Sequence, residues 1–165
     1  MRVPIHLCYF MLYYNYMTIK IITVGNKSSR PHQTIIDDYL KRFPRTTSIK
    51  WVYIKHSNGN QVASIAQESE NILNAIDQKS KVLLLDETGT QLTSPKLSDK
   101  LFAASQDVTF IIGGAYGVSD EVKNRADIVL SLSKFVFPHQ LVRVILSEQL
   151  YRAYTISINH PYHHS

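Results

Sequence analysis

Cysteine is nearly absent from this sequence of 165 residues, which contains Cys8 alone. A single cysteine excludes an internal disulfide and makes a reducing compartment, the cytoplasm, the expected location. Thiolate zinc sites are excluded as well, because the sequence has no CxxC pair. No apolar run approaches the roughly 20 residues that a membrane-spanning helix requires. We therefore expect no membrane span and no metal centre.

Charged residues are also sparse, at 19% of the chain against 44% apolar residues, a balance typical of a folded domain. The length suits one domain with a real core and is too short for two ordinary ones. Lysine and arginine number 18 against 13 acidic residues, which gives a net charge of +5. Such an excess permits a polyanionic partner but does not require one.

The first sixteen residues differ from the rest of the chain. They carry one charge, Arg2, among large apolar and aromatic side chains, and they lack the small-residue cleavage site of a signal peptide. A clean strand pattern, MTIKIITVG, begins at Met17. We therefore interpret residues 1–16 as a non-native or disordered extension and residues 17–165 as the single domain. The alternative is a genuine amphipathic extension.

Apolar runs that are typical of strands alternate with helical patterns. The predicted strands are 19–24, 49–54, 82–85, 108–112 and 128–132. The predicted helices are 31–42, 61–77, 94–104 with Ser94 as N-cap, a short one from Ser119, and 138–154. This alternation predicts an α/β fold with a mostly parallel sheet and helices on both faces. The last helix is apolar around most of its circumference, which indicates burial within the domain, a subunit interface, or both.

Three turns at predicted strand ends are candidates for ligand binding: 85–89, 113–117 and 132–139. Open α/β sheets bind ligands at the carboxyl ends of their strands, and glycine there lets the backbone approach a ligand closely. The alternative is that these glycines only make tight turns. The GGxxG run does not match a dinucleotide fingerprint, and Gly25-Asn26-Lys27-Ser28 lacks P-loop spacing. No nucleophile elbow or carboxylate pair stands out, so an enzyme of this sequence would depend on a bound cofactor and on positioning.

Histidines cluster at the C-terminus, in the segment NHPYHHS at 159–165. Three interpretations are open: a metal cluster, a solvated tail, or an ordered tail beside an active site. Pro161 restricts the path of the chain, which favours the ordered tail.

Seven short motifs together resemble one known family. They are ITVG at 22–25, LDExG at 85–89, FIIGGxxG at 110–117, LSxS at 130–133, FPHQLVR at 137–143, EQLYRA at 148–153 and HPYH at 160–163. In this order they resemble the RlmH (YbeA) family, small bacterial SPOUT-class methyltransferases of 23S ribosomal RNA. The resemblance covers residues 17–165.

The resemblance implies a C-terminal trefoil knot in the α/β sheet, S-adenosyl-L-methionine as cofactor, and a homodimer in which the partner completes each site. It further implies methylation of N3 of a pseudouridine in helix 69 of 23S rRNA, on assembled ribosomes. Two alternatives remain: a SPOUT methyltransferase for a different RNA, and a non-enzymatic basic RNA-binding module.

Site residues follow from matching the family's motifs position by position. Cofactor contacts are expected at Leu85, Gly113, Leu132, Ser133, Lys134, Phe135, Val136 and Phe137. Val136 replaces the family's usual threonine, which puts one side-chain hydrogen bond in doubt. Catalytic roles are expected for Tyr162 and His163, which would shape the base pocket, with His163 as a candidate base. Arg143 and Arg152 are expected to hold phosphate or the base as charged donors.

Overall fold

The structure, a computed structural model, describes residues 16–104 and 106–163. In this part of the chain, five parallel strands form one sheet with the order β2-β1-β4-β3-β5. The strands are β1 (Met17–Val24), β2 (Thr47–Ile54), β3 (Lys81–Gln91), β4 (Val108–Ile112) and β5 (Ile128–Ser131). The predicted α/β class and parallel sheet are confirmed.

Helices cover both faces of the sheet, as expected. They are α1 (Arg30–Lys41), α2 (Gln61–Ala75), α3 (Ser94–Phe102), α4 (Asp120–Arg125) and α5 (His139–Ser157). One core cluster joins the sheet to α3 and α5 through Leu101 and Leu146, and α1 packs beside α5. A second cluster on the opposite face joins the sheet to α2 and α4 through Ile72 and Val122.

Burial on two faces explains why the strands were visible in the sequence. All five residues of β4 are buried, and β4 lies between β1 and β3. A strand covered on both faces reads as a continuous apolar run. The edge strand β2 instead alternates between exposed and half-buried residues over its first half.

Strand β3 is longer than predicted. Leu85 and Thr90 both pair with Leu130 of β5, so the residues between them form an excursion and the strand continues to Gln91. A Cβ at Gly89 would lie 2.7 Å from backbone atoms of Val129 and Leu130. Glycine is therefore required where the returning chain meets β5.

The start of α3 differs by one residue from the prediction. The N-cap is Thr93, not Ser94, and the Thr93 side chain accepts a hydrogen bond from the N–H of Lys96. The Ser94 hydroxyl instead donates to Gln149 of α5. Serine and threonine are both favoured N-caps, so composition alone did not distinguish the two positions.

Seven of the 19 residues of helix α5 are buried within its own chain, since α1 and α3 flank it and the sheet lies beneath it. Burial within the domain therefore accounts for much of its all-round apolar pattern. A subunit interface on α5 stays a prediction, as does the trefoil knot.

Most of the N-terminal extension, residues 1–15 with Cys8, lies outside the described residues. The boundary at residue 17 stays a prediction. Met17 itself is buried and pairs with Thr47 at the start of the sheet. Within the described ranges, no helix has the length and apolar character needed to cross a membrane.

Candidate functional site

A cavity of about 750 Å³ lies at the carboxyl ends of β3, β4 and β5. All three turns that the sequence singled out, 85–89, 113–117 and 132–139, contribute to its walls. The lining residues from these turns and their flanks lie within 84–88, 112–118, 130–133 and 135–139. Because parallel strands end at the same edge of a sheet, residues far apart in sequence converge there. The volume is within the usual range for small-molecule and cofactor sites, about 300–1,000 Å³.

Seven of the eight expected cofactor residues line this cavity: Leu85, Gly113, Leu132, Ser133, Phe135, Val136 and Phe137. Lys134 does not line it and is exposed. Phe135 and Val136 are 77% and 80% exposed, which places their side chains at the cavity's open edge. The Val136 side chain therefore adds little to the enclosed wall, and the missing threonine hydroxyl leaves that wall intact.

Acidic groups line one side of the cavity, at the end of the β3 ladder. Burial raises the pKa of Asp86, but hydrogen bonds from the Thr88 hydroxyl and N–H outweigh it, and the net pKa lies below the ordinary value. These bonds measure 2.7 and 2.9 Å. Asp86 is thus ionised at neutral pH, and Glu87 lines the cavity beside it.

The glycine turn after β4 presents backbone to the cavity. Gly117 has a φ of +81°, a conformation that L side chains rarely adopt, and its N–H donates to the Gly114 carbonyl over 3.0 Å. A Cβ at Gly113 would lie 2.8 Å from Cγ1 of Val118. A side chain at 113 therefore first strikes Val118, so it would distort the turn rather than simply fill ligand space.

The first turn of α5 ties the strand ends together. His139 lines the cavity, and burial, together with the charge of Arg143, lowers the pKa of His139 below its ordinary value. Its imidazole is thus neutral at neutral pH. The Gly114 backbone opposes this lowering of the pKa, so the imidazole lies close to the glycine turn.

Arg143 lies one turn further along α5 and does not line the cavity. Its side chain is buried, and its two terminal nitrogens donate to the carbonyls of Val24, the last residue of β1, and of Asn26 in the loop that follows. The guanidinium also lies 5.7 Å from the ring centroid of Tyr53. Within one chain, the Arg143 guanidinium is therefore buried and holds the end of β1.

The other three predicted catalytic residues do come together, near the C-terminal half of α5. Tyr162 packs its ring against Tyr151 with centroids 5.0 Å apart, and the Arg152 guanidinium lies 4.8 Å from the Tyr162 centroid. The Nδ1 atom of His163 lies 3.5 Å from Arg152 Nη1. The tail therefore packs against α5 as far as His163, and its place beside an active site stays a prediction.

Glu148 organises this cluster and was missed as a site residue. Its Oε1 accepts hydrogen bonds from the Tyr162 hydroxyl at 3.1 Å and from Arg152 Nε at 2.9 Å. Burial, a hydrogen bond with Tyr39 and the Glu148 charge raise the pKa of Tyr162 to about 12. The Glu148–Arg152 spacing of four residues was the available signal, because such pairs share a helix face.

The cavity and the tail cluster are well separated in a single chain. His139 and Arg152 are 13 residues apart on α5, which corresponds to about 20 Å along a helix axis. Neither Tyr162 nor His163 lines the cavity. One chain therefore presents the cavity and the tail cluster at different positions along α5. Among residues 16–104 and 106–163, no group of three or more His, Cys, Asp or Glu side chains is arranged to hold a metal ion.

Comparison with known proteins assigns this arrangement to a class. The family model described as "Predicted SPOUT methyltransferase" matches residues 17–163. The chain belongs to the SPOUT methyltransferase family, as its motifs indicated.

Two curated relatives agree with the family assignment. The chain is 44% identical over 154 residues to "Ribosomal RNA large subunit methyltransferase H" of Chromobacterium violaceum, covering 89% of this chain and 99% of that protein. It is 40% identical over 154 residues to the protein of the same name from Geobacter metallireducens, covering 90% and 100%.

A solved structure of a probable methylase family protein from Haemophilus influenzae Rd KW20 shares the fold, with a TM-score of 0.52. Its sequence identity is 15%, and the match covers 86% of this chain and 66% of that one.

Proposed function

We propose that this protein uses S-adenosyl-L-methionine to methylate N3 of a pseudouridine in helix 69 of 23S rRNA, on assembled ribosomes in the cytoplasm. The names of the relatives support a ribosomal RNA substrate. The observation that carries the proposal is the cavity at the strand ends, where seven of the eight residues expected to contact the cofactor lie together.

The cavity suits the proposed cofactor in size and in chemistry. The backbone of the 113–117 and 132–137 turns offers N–H and C=O groups for an adenine edge, and Leu85 and Leu132 offer apolar contact. The Asp86 and Glu87 carboxylates suit ribose hydroxyls or an ammonium group. When bound, S-adenosylmethionine supplies a methyl group activated by a sulfonium, which departs as a neutral thioether.

The tail cluster supplies the groups that act on the target base. N3–H of pseudouridine must lose its proton, and His163 is the candidate base. Tyr162 keeps its proton at neutral pH because its pKa is raised to about 12, and that proton is donated to Glu148, so Tyr162 offers the base its ring face and its oxygen lone pairs. Glu148 fixes the Arg152 guanidinium, whose remaining donors suit a phosphate or a carbonyl oxygen. Arg143 is withdrawn from this role, and we assign it the positioning of the β1 end.

A complete site then requires two copies of the chain. The cavity and the tail cluster lie about 20 Å apart along α5, which is beyond the reach of one nucleotide base. A homodimer that brings the tail of one copy to the cavity of the other would solve this problem. We include the trefoil knot in the same proposal, as the path that the chain follows around the cavity.

Transfer of a labelled methyl group tests the proposal. Radiolabelled S-adenosylmethionine is incubated with the protein and with ribosomes that lack the modification, and naked 23S rRNA and small subunits serve as controls. We expect label in large-subunit RNA of assembled ribosomes, recovered as N3-methylated pseudouridine after nucleoside digestion.

The same assay separates the alternatives. Label in another RNA would indicate a SPOUT methyltransferase with a different substrate. No label, together with no cofactor binding in calorimetry, would indicate a non-enzymatic RNA-binding module.

A further inference from the structure

The buried face of α2 is unusually polar. Of its four buried residues, Ser64, Glu68, Ser69 and Ile72, only the last is apolar. Glu68 is 6% exposed and Ser69 is 2% exposed. Burying a carboxylate destabilises a fold unless partners compensate, so its presence in a core requires a reason.

Glu68 contacts Gly114, within the glycine turn that lines the cavity, and Ser69 contacts Ser119, just after that turn. The Ser69 hydroxyl accepts a hydrogen bond from the N–H of Ser119 over 2.9 Å. The Glu68 Oε2 atom packs so closely against Gly114 that it would collide with an alanine Cβ at 114. Two consecutive residues of α2 therefore hold the segment 114–119 from beneath.

Glu68 is itself held in place from the other side. Its Oε1 atom accepts the N–H of Ser57 over 3.0 Å and lies 3.5 Å from Nδ1 of His56, in the loop after β2. The carboxylate is thus not free to swing away from Gly114 without losing these partners. It connects the loop after β2 to the turn after β4.

The need for glycine at position 114 comes from this carboxylate and not from the backbone conformation. Positive φ values in the described glycines occur at Gly25 and Gly117, and Gly114 is not among them. Apart from Glu68, the nearest atom to an added Cβ is Cγ1 of Val24 at 3.5 Å, an ordinary contact. An alanine at 114 would fit if the carboxylate were absent.

We propose that Glu68 and Ser69 are positioning residues that hold the 113–119 turn in the shape that binds the cofactor. This inference rests on the proposed function, because it takes the cavity to be the S-adenosylmethionine site. Neither residue lines the cavity. They act through the backbone of the turn, which is where the cavity obtains its polar groups.

Calorimetry with S-adenosylmethionine tests the inference on the full-length protein. We expect Glu68→Ala and Ser69→Ala each to raise Kd about tenfold, which equals about 1.4 kcal/mol. Glu68→Gln keeps an oxygen for the Ser57 N–H and should bind more tightly than Glu68→Ala. The matched control is Ser98→Ala on the opposite face, which removes a buried serine hydrogen bond to the Ala153 carbonyl. It should lower Tm and leave Kd unchanged.

Gly114→Ala provides a second, independent arm. Alone it should weaken binding, because its Cβ collides with the carboxylate. Combined with Glu68→Ala it should bind no worse than Glu68→Ala alone, since the collision is removed. Additive losses in the double variant would overturn the inference, as would wild-type Kd values in folded Glu68→Ala and Ser69→Ala. An equal loss in Ser98→Ala would also overturn it, by reducing the effect to general destabilisation. Absence of binding by the wild-type protein would instead overturn the proposed function itself, and this inference with it.

Discussion

The hydroxyl of Tyr162 donates a hydrogen bond to Oε1 of Glu148 over 3.1 Å, across 14 residues of chain. The same oxygen accepts from Arg152, so one carboxylate fixes both the tail and the guanidinium beside it. This contact holds the segment that follows α5 against the side of that helix. It gives the tail a defined position where a C-terminus would otherwise fray.

Neutralising Glu148 should uncouple the tail from the helix. In Glu148→Gln, the hydrogen bonds from Arg152 and Tyr162 lose their ionised acceptor, and such bonds contribute about 1.5–3 kcal/mol. We expect methyl transfer to fall by about ten- to a hundredfold if that energy is lost from the transition state. Calorimetry should show unchanged S-adenosylmethionine binding, because Glu148 does not line the cavity. Unchanged transfer would mean that the cluster has no part in catalysis.

Tyr162 should make stability depend on alkaline pH. Its pKa is raised to about 12 in the folded chain, from an ordinary value near 10, so the folded state binds the proton more tightly. This contribution is fully present below pH 10 and is lost as the pH rises from 10 through 12. Urea unfolding at a series of pH values measures the free energy of unfolding of the wild type and of Tyr162→Phe. The excess stability of the wild type should shrink in that window. Tyr116→Phe, at an exposed tyrosine, is the matched control; a constant advantage would contradict the assignment.

Much of the fold was predictable because burial on both sides makes parallel strands visible as apolar runs. The convergence of the three turns was predictable for a related reason, since parallel strands end at one edge. The continuation of β3 was not predictable. Residues 87–91 read ETGTQ, which is typical of a turn, and of these only Thr90 and Gln91 pair with β5, after an excursion.

The roles of single side chains were harder to predict than the site itself. Arg143 and Arg152 both lie on α5. Arg143 is buried against the end of β1, whereas Arg152 pairs with Glu148. Which of them meets a substrate depends on how the tail and the β1 loop return to α5. Such long-range contacts leave no periodic signal in the sequence.

Gly89 should tolerate no side chain. Its Cβ would lie 2.7 Å from the backbone of β5, where neither strand has a flexible end that can move aside. We expect Gly89→Ala to destabilise the fold by about 1–3 kcal/mol, the usual cost of overpacking. Chemical denaturation measures this directly, with Glu87→Ala, at an exposed residue of the same excursion, as the control. Equal stability of Gly89→Ala and the wild type would show that β3 and β5 are less closely joined than described.

Deletion of residues 1–16 should leave both Tm and methyl transfer unchanged. The sheet begins at Met17, whose N–H already bonds to the Thr46 carbonyl. Thermal unfolding and the labelled-transfer assay on the two chain lengths check this. A large loss in either would mean that the extension packs on the domain.

Mixing two inactive variants tests the central claim, that the cavity of one copy and the tail of another form one catalytic site. One variant lacks residues 161–165 and keeps the cavity; the other, Ala115→Trp, places a large ring on the cavity wall and keeps the tail. Each alone should fail to methylate ribosomes. After denaturation and joint refolding at equal amounts, half of the dimers are mixed and each has one intact composite site, so about one quarter of wild-type transfer should return. No recovery, with mixed dimers verified by mass, would contradict the account.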